Sequence, residues 1–318
     1  MSGLAFPRLL EPPSAETTAF NAWLRDQLAQ LPKAHEVPPE VTRKARDDGA
    51  GIFLSGGPLD GSEWGAIPGA PGGAGRVRIS APERAARGVY LHIHGGGWTF
   101  NRPDYYDLWN QRIARETGLA VVSAAYRLAP EHPWPACAED CEAAARWLIE
   151  TAPKQFGTDR LLIGGESAGA HLAAVTLLRL RTAGLMDRFA GAALTYGVFD
   201  LRMTPSMIRG VDAPIVPTET VSWFTDNLTA EDVGLRADPA LSPLLADLAG
   251  FPPTLIACGA ADPLLDDSLL MATALARGGT AVETRLYPGG VHAFDQFDTP
   301  LAEEALADRT AWLSRAGA

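Results

Sequence analysis

The chain has 318 residues, 47% of them hydrophobic and 20% charged, which is the composition of a globular protein with a large buried core. Its net charge of −11 argues against a general affinity for nucleic acid or for an anionic membrane. The apolar runs are too short to cross a bilayer, and three cysteines do not make a disulfide framework. Because we recognise no signal peptide, we expect a cytoplasmic protein.

Two helices are predicted before any strand. Residues 14–32 carry an apolar stripe at helical spacing, and Ser14 can cap this helix by accepting a hydrogen bond from its first turn. Residues 37–48 predict a second, shorter helix. The stretch 55–75 is rich in glycine and proline, which predicts a loop or linker.

From residue 76 onward, short apolar runs alternate with helical patterns. Several runs are continuously apolar, which is typical of strands that are covered on both faces. The alternation predicts a mostly parallel, doubly wound sheet. The predicted strands are 76–81, 88–94, 119–126, 160–165, 189–198, 253–259 and 282–288.

One long segment interrupts this alternation. About fifty residues between 198 and 253 contain no clear strand, and 216–228 within them has a helical pattern. An insertion of this length is often a lid or a binding element. The alternative is an extra pair of helices without a functional role.

Residues 165–169, GESAG, lie between a predicted strand and a predicted helix. In such a G-x-S-x-G pattern, a sharp turn holds the hydroxyl of the central residue, here Ser167, above the sheet as a nucleophile. The amide of Ala168 would then point, with the helix N-terminus, to where negative charge forms. The alternative is a serine that only hydrogen-bonds the first turn of the helix.

Residues 94–98, HGGGW, directly follow another predicted strand. Three glycines let backbone amides approach a ligand without obstruction by side chains, so this loop is a candidate oxyanion hole. A flexible loop and a phosphate cradle are the alternatives. The spacing and the lysine of a phosphate-binding loop are missing from the sequence.

A nucleophilic serine needs a base, and the chain has six histidines. His292 follows the last predicted strand, and loops after parallel strands gather at the sheet edge where Ser167 would lie. His94 is expected to brace the glycine loop. His171 lies four residues beyond Ser167 on the same helix and would point along that helix. His292 is therefore the predicted base.

The base in turn needs an acid that orients it. Asp262 follows the predicted strand 253–259, at the same sheet edge as Ser167. Asp266 is the second candidate, although it has the position of a first-turn helix residue favoured by the dipole. The order serine, aspartate, histidine along the chain is that of the α/β-hydrolase sheet.

Taken together, HGGGW, YRLAPEHPWPA (126–136), GESAGAHLA (165–173) and the late Asp–His pair resemble the hormone-sensitive-lipase-like family of bacterial esterases, bacterial family IV. The resemblance covers roughly residues 85–300. It implies an α/β-hydrolase fold, with a mostly parallel, doubly wound, eight-stranded sheet and a helical cap. It also implies a serine carboxylesterase that needs no metal or organic cofactor. The implied catalytic residues are Ser167, Asp262 and His292, and the implied oxyanion hole consists of the amides of Gly96, Gly97 and Ala168.

The resemblance also divides the chain. It implies N-terminal cap helices in 1–55, a first core part in 56–200, a cap insertion in 201–250 and a second core part in 251–318. The expected substrate is a small ester with a short- to medium-length acyl chain, because the predicted substrate-binding side chains are bulky: Trp98, Phe100, Trp223 and Phe224. Nucleic acid and membranes are not expected partners, whereas members of the family often form homodimers.

Two alternatives stay open at this point. One is an amide, formamide or lactone hydrolase with the same three residues, and the other is a non-catalytic receptor on this fold. The chain also departs from the family pattern. Members often carry Asp-Ser-Ala-Gly-Gly-Asn at the serine, where this chain has Glu166, Ala170 and His171. These departures concern the pocket floor and the helix packing.

Overall fold

The structure, a computed structural model, describes residues 4–53, 56–73 and 75–318. Its sheet has eight strands, and their bounds in chain order are β1 (Ser62–Ala66), β2 (Arg76–Ser80), β3 (Val89–Ile93), β4 (Ala120–Ala125), β5 (Leu161–Glu166), β6 (Phe189–Thr195), β7 (Thr254–Gly259) and β8 (Val282–Tyr287). The spatial order is β1-β2-β4-β3-β5-β6-β7-β8. The two pairings of β2 are antiparallel and the others are parallel, which confirms the predicted sheet.

The prediction of a loop for 55–75 was wrong for part of that stretch, because β1 lies within it. This strand pairs on one side only, with β2, and three of its five side chains are exposed. An edge strand with a glycine at Gly65 lacks the apolar pattern from which strands are recognised. A Cβ at Gly65 would lie 3.2 Å from the side chains of Val77 and Ile79, so the glycine permits close pairing.

The helices surround the sheet on both faces. Their bounds are α1 (Ala15–Leu28), α2 (Pro39–Asp47), α3 (Asp107–Thr117), α4 (Ala136–Gln155), α5 (Ala168–Thr182), α6 (Pro205–Arg209), α7 (Thr218–Thr229), α8 (Leu265–Arg277) and α9 (Pro300–Ala316). The capping role predicted for Ser14 is confirmed, because its Oγ accepts a hydrogen bond from the Thr17 amide at 3.1 Å. The short helix α6 was not predicted.

Alternate residues of the central strands pack against opposite helix layers. On β3, Tyr90 belongs to a cluster with residues of α3 and α9, whereas Leu91 belongs to the larger cluster with α4, α5 and α8. Cys137 and Cys141 lie within that larger cluster as free, buried thiols, and burial raises the pKa of Cys137 to about 12. Both faces of the sheet are therefore covered, as its apolar strands predicted.

Two segments outside this core lie together over the carboxyl ends of the strands. One contains α1 and α2, and the other contains α6 and α7. They contact each other directly. His35 is hydrogen-bonded to Thr220 at 2.8 Å, and Arg25 donates to the carbonyl of Asp212 at 3.2 Å. Across the described ranges of the chain, no helix is both long and apolar enough to cross a bilayer.

Candidate active site

Ser167 lies in a sharp turn between β5 and α5, with φ 56° and ψ −121°. Few residues other than glycine adopt such a conformation, and it lifts the side chain out of both elements. The flanking Gly165 and Gly169 make the turn possible. A Cβ on either would lie 2.0 Å or 1.9 Å from the carbonyl oxygen of Ile93 on β3. The G-x-S-x-G spacing is therefore a consequence of how closely β3 passes the turn.

The three residues predicted as nucleophile, base and acid lie together at the carboxyl ends of β5, β8 and β7. His292 Nε2 is 3.0 Å from Ser167 Oγ, and His292 Nδ1 is 2.9 Å from Asp262 Oδ2. The other carboxylate oxygen of Asp262 accepts a hydrogen bond from the Leu264 amide at 2.8 Å. The side chains of His292 and Asp262 are almost fully buried. The Asp262 carboxylate is thus fixed on both sides.

A close crossing of two loops brings the base and the acid together. A Cβ on Gly259, at the end of β7, would lie 2.0 Å from the carbonyl oxygen of Gly290 in the loop after β8. The Ala261 amide donates to that same carbonyl at 3.0 Å. Asp266 is not part of this arrangement, because its carboxylate accepts a hydrogen bond from the Ser206 amide at 2.8 Å.

The glycine loop passes beside the serine turn. Gly96 and Gly97 have φ values of 117° and 59°, and a Cβ on Gly95 would lie 2.7 Å from the carbonyl oxygen of Glu166. Within the described part of the chain, the amides of Gly96, Gly97 and Ala168 donate to no protein acceptor. All three residues line the cavity that contains Ser167. These amides are therefore available to a ligand.

His94 braces the loop from behind. Its Nδ1 donates to the carbonyl of Gly95 at 2.9 Å, and its ring stacks on that of Tyr126 at 4.2 Å. The Tyr126 hydroxyl donates to the carbonyl of His94 at 2.9 Å. Burial lowers the pKa of His94 to about 3, so the ring is neutral. These contacts hold the glycine loop in place, as expected for His94 from the sequence.

His171, one of the departures from the family pattern, connects three elements. Its Nδ1 accepts a hydrogen bond from Trp98 Nε1 at 3.1 Å, and its Nε2 donates to the carbonyl of Leu241 at 2.7 Å. Because an indole N–H can only donate, Nδ1 is the unprotonated nitrogen. Burial lowers the pKa of His171 to about 4. The residue therefore affects packing between α5, the glycine loop and the insertion.

Glu166, the other departure, belongs to a buried group of charges. It accepts a hydrogen bond from Arg309 at 2.5 Å and is 2.9 Å from His92 Nε2. Arg309 also lies 3.5 Å from Asp295, which accepts a hydrogen bond from the Tyr196 hydroxyl at 2.5 Å. Burial alone would raise the pKa of Glu166, but the nearby His92 and Arg309 outweigh it and lower the pKa. The one signal of this group in the sequence is a carboxylate at the end of an apolar strand.

Ser167 and His292 open into a cavity of about 630 Å³. Of the predicted substrate-binding residues, Trp98, Phe100 and Phe224 line it. Trp223 does not line it; its ring packs against the Phe100 and Phe224 rings at 5.9 Å and 5.2 Å. Neighbouring residues of a helix point about 100° apart, which allows Phe224 to face the cavity while Trp223 does not. Lining residues missed from the sequence include Ile52, Phe53, Tyr196, Val198, Ile215 and Leu264.

Known proteins that resemble this chain include hydrolases, in agreement with the geometry of the site. A family model for the alpha/beta hydrolase fold matches residues 90–296. Carboxylic ester hydrolase LipN of Mycobacterium tuberculosis (strain ATCC 25618 / H37Rv) is 37% identical over 238 residues, which are 70% of this chain. They are 62% of LipN, so the chain spans less than two thirds of that relative.

Solved structures of esterases share the whole architecture. A hyperthermophilic esterase from the archaeon Pyrobaculum calidifontis has a TM-score of 0.86 and 28% identity, over 96% of this chain and 100% of that one. A hormone-sensitive lipase from a metagenome library has a TM-score of 0.82 and 26% identity, over 96% of this chain and 100% of that one. The chain therefore belongs to the α/β-hydrolase family, among its hormone-sensitive-lipase-like esterases.

Proposed function

We propose that this protein is a serine carboxylesterase that hydrolyses short- to medium-chain esters through an acyl-enzyme intermediate. The observation that carries the proposal is the 3.0 Å contact between His292 Nε2 and Ser167 Oγ, next to backbone amides that have no acceptor among the described residues. A nucleophile, a base and unpaired donors around one point of a cavity are what acyl transfer requires.

In the first step, His292 Nε2 takes the proton of the Ser167 hydroxyl as Oγ attacks the ester carbonyl. The amides of Gly96, Gly97 and Ala168 then stabilise the oxyanion of the tetrahedral intermediate. One such donor typically lowers the barrier by about 3–4 kcal/mol. The intermediate collapses as His292 gives the proton to the leaving alcohol.

In the second step, water attacks the acyl-enzyme while His292 takes its proton, and Ser167 is released. Asp262 supports both steps from the far side of the ring. Its Oδ2 accepts a hydrogen bond from Nδ1–H at 2.9 Å, which keeps Nε2 free to accept a proton and stabilises the transient imidazolium. These steps use only the side chains named here, backbone amides and water.

The cavity supports an ester of limited size as the substrate. Its volume of about 630 Å³ and its mostly apolar lining suit a small ester with a short to medium acyl chain. Trp98, Phe100 and Phe224 are the proposed contacts for the apolar parts of the substrate. We propose that 1–55 and 201–250 act as its cap, whose two segments cover the core parts 56–200 and 251–318.

Replacement of the nucleophile tests the proposal. Ser167→Ala is expected to lower kcat for p-nitrophenyl esters by at least about a thousandfold without loss of the fold, because the attacking oxygen is removed. An organophosphonate should label the parent protein and not the variant. Rates from acetate to palmitate esters measure the preferred acyl length.

The matched control is Ser314→Ala, which makes the same change on α9, away from the cavity. Substantial turnover by Ser167→Ala would contradict the proposal. Absence of labelling and turnover in the parent would favour a receptor. Amides, formamides or lactones cleaved faster than esters would shift the assignment to those substrates.

We further propose a cytoplasmic protein without nucleic-acid or membrane partners. Its three free, buried thiols and its negative charge support this. We also propose that the protein can form a homodimer, by pairing of the strand near the C-terminal helix; here this strand is β8, an edge strand of the sheet. Light scattering of the purified protein tests the dimer.

A further inference from the structure

Arg46 on α2 lines the cavity that contains Ser167. Its guanidinium lies 5.0 Å from the ring centre of Phe53 and 5.5 Å from that of Phe100. Arg46 Nη1 donates a hydrogen bond to Asn101 Oδ1, a neutral acceptor. The other N–H groups of Arg46 have no acceptor among the described residues.

Arg46 differs from the other basic residues of its helix, which form ion pairs. Arg43 is paired with Glu131 at 2.6 Å, and Lys44 is paired with Asp48 at 2.7 Å. Within the ranges that the structure describes, no carboxylate forms an ion pair with Arg46. Burial lowers the pKa of Arg46 below its ordinary value, and the guanidinium still stays charged near neutral pH.

A charge removed from bulk water and left unpaired is unfavourable, so a site of this kind favours an anionic ligand. The planar guanidinium also matches a carboxylate, which it can bind through two parallel hydrogen bonds. The other charged residues of the cavity also favour an anionic ligand. Arg25 and Lys33 line the same cavity. Its acidic lining residues are Asp212 and Glu166, and Glu166 is compensated by Arg309. The cavity is thus locally positive in a chain with a net charge of −11.

Arg46 is linked to the loop beside Ser167 by two successive hydrogen bonds. Asn101, which accepts its hydrogen bond, donates through Nδ2 to the carbonyl of Gly95 at 3.2 Å. Gly95 lies in the loop whose next two amides are the proposed oxyanion hole. An anion bound at Arg46 would therefore share one cavity with an ester carbonyl at Ser167.

We propose that the preferred substrate is an ester that carries a carboxylate, and that Arg46 binds this carboxylate while the ester lies at Ser167. This inference rests on the proposed function. The substrate class is either a monoester of a dicarboxylic acid or an ester whose alcohol part bears the carboxylate. Arg46 would then determine specificity, while the chemistry stays with Ser167, Asp262 and His292.

The test compares charged esters with neutral esters of the same shape. One pair has the charge on the acyl side, ethyl hydrogen adipate and its carboxamide. The other has it on the alcohol side, 4-acetoxybutanoate and its carboxamide. We expect the parent to show a kcat/KM about 10- to 100-fold higher for the carboxylate in at least one pair, because charge-assisted hydrogen bonds are strong. The favoured pair identifies the side.

Arg46→Met, which removes the charge and retains an apolar chain, is expected to abolish this ratio while neutral esters are still cleaved. Arg46→Lys should retain part of it. Lys44→Met is the matched control, because it removes a positive charge from the same helix outside the cavity. It should leave the ratio unchanged.

Two results would overturn the inference alone. One is a parent that cleaves neutral esters with no preference for the carboxylate in either pair. The other is an Arg46→Met variant that loses activity equally on charged and neutral esters, since that is the effect of lost packing around Asn101. Failure of the parent to cleave any ester would overturn the proposed function, and this inference with it.

Discussion

At the scale of single residues, the backbone around Ser167 leaves no room for larger neighbours. The positive φ of Ser167 persists because its surroundings hold it, including the 2.9 Å hydrogen bond from its amide to Thr195. Gly169 faces the carbonyl oxygen of Ile93, which is backbone and cannot turn aside. A single methyl group at this position therefore pushes α5 away from β3.

We predict that Gly169→Ala lowers the free energy of unfolding by about 1–3 kcal/mol or more, as overpacking does, and lowers kcat through the displaced serine. Denaturant unfolding and steady-state kinetics measure the two effects. Gly234→Ala is the control, because its added methyl would meet only the Asp232 side chain, at 3.1 Å. Equal stability of the two variants would contradict the steric account.

Ser167, Asp262 and His292 lie together in the structure. The sequence predicted this because each lies in the turn or loop after a predicted strand, and parallel strands end at one edge. It did not predict Arg46. Nothing in its own helix distinguishes this arginine from Arg43, and only the packing of α2 leaves one of them paired and the other unpaired. Such a difference depends on contacts between residues that are far apart in the sequence.

At the scale of elements, Arg309 ties the C-terminal helix α9 to both halves of the site. It binds Glu166, which precedes the serine, and lies beside Asp295, three residues beyond His292. Tyr196, whose hydroxyl binds Asp295, also touches the His292 ring at 4.9 Å. The helix thus supports the turn and the histidine loop together.

Arg309→Met is expected to lower the free energy of unfolding by about 3–5 kcal/mol, because it takes the guanidinium away from the buried carboxyl groups of Glu166 and Asp295. Adding Glu166→Gln should restore part of this loss. The exposed Arg315 on the same helix pairs with Glu283 at 3.0 Å, and Arg315→Met should cost at most about 1 kcal/mol. Equal losses for Arg309→Met and Arg315→Met in denaturant unfolding would refute the buried network as a support.

At the scale of the whole molecule, buried neutral histidines link stability to pH. His171 has a pKa of about 4 in the folded protein, against 6.5 for an unperturbed histidine. Between these values the unfolded chain binds a proton that the folded protein does not. The free energy of unfolding therefore falls as the pH drops from 6.5 toward 4. Protonation of His171 would also turn Nδ1–H against the Trp98 N–H.

We predict that His171→Asn reduces the loss of stability between pH 7 and about pH 4.5 by about 2 kcal/mol. The Oδ1 atom of asparagine takes the place of Nδ1 and can accept from Trp98, but asparagine does not ionise. The measurement is denaturant unfolding of both proteins at both pH values. The same pH dependence in both would show that His171 does not titrate as described.

Most of the fold was predictable because the apolar runs and helical stripes of the core are strong local patterns. The strand β1 was not, since its exposed side chains are held by pairing with β2 and not by burial. The sequence also could not show which residue of α7 lines the cavity, because Trp223 and Phe224 are both large and apolar and only their neighbours decide which one reaches it.

The two covering segments that meet through His35 and Thr220 come from distant parts of the chain, and neither carries Ser167, Asp262 or His292. The segments that control access to the site are therefore separate from the segments that carry the reacting side chains. Substitutions around Arg46 or Phe224 can alter which molecules enter while the bond-breaking groups stay the same. New substrate preferences would then arise through changes in the covering segments, while the three reacting side chains stay the same.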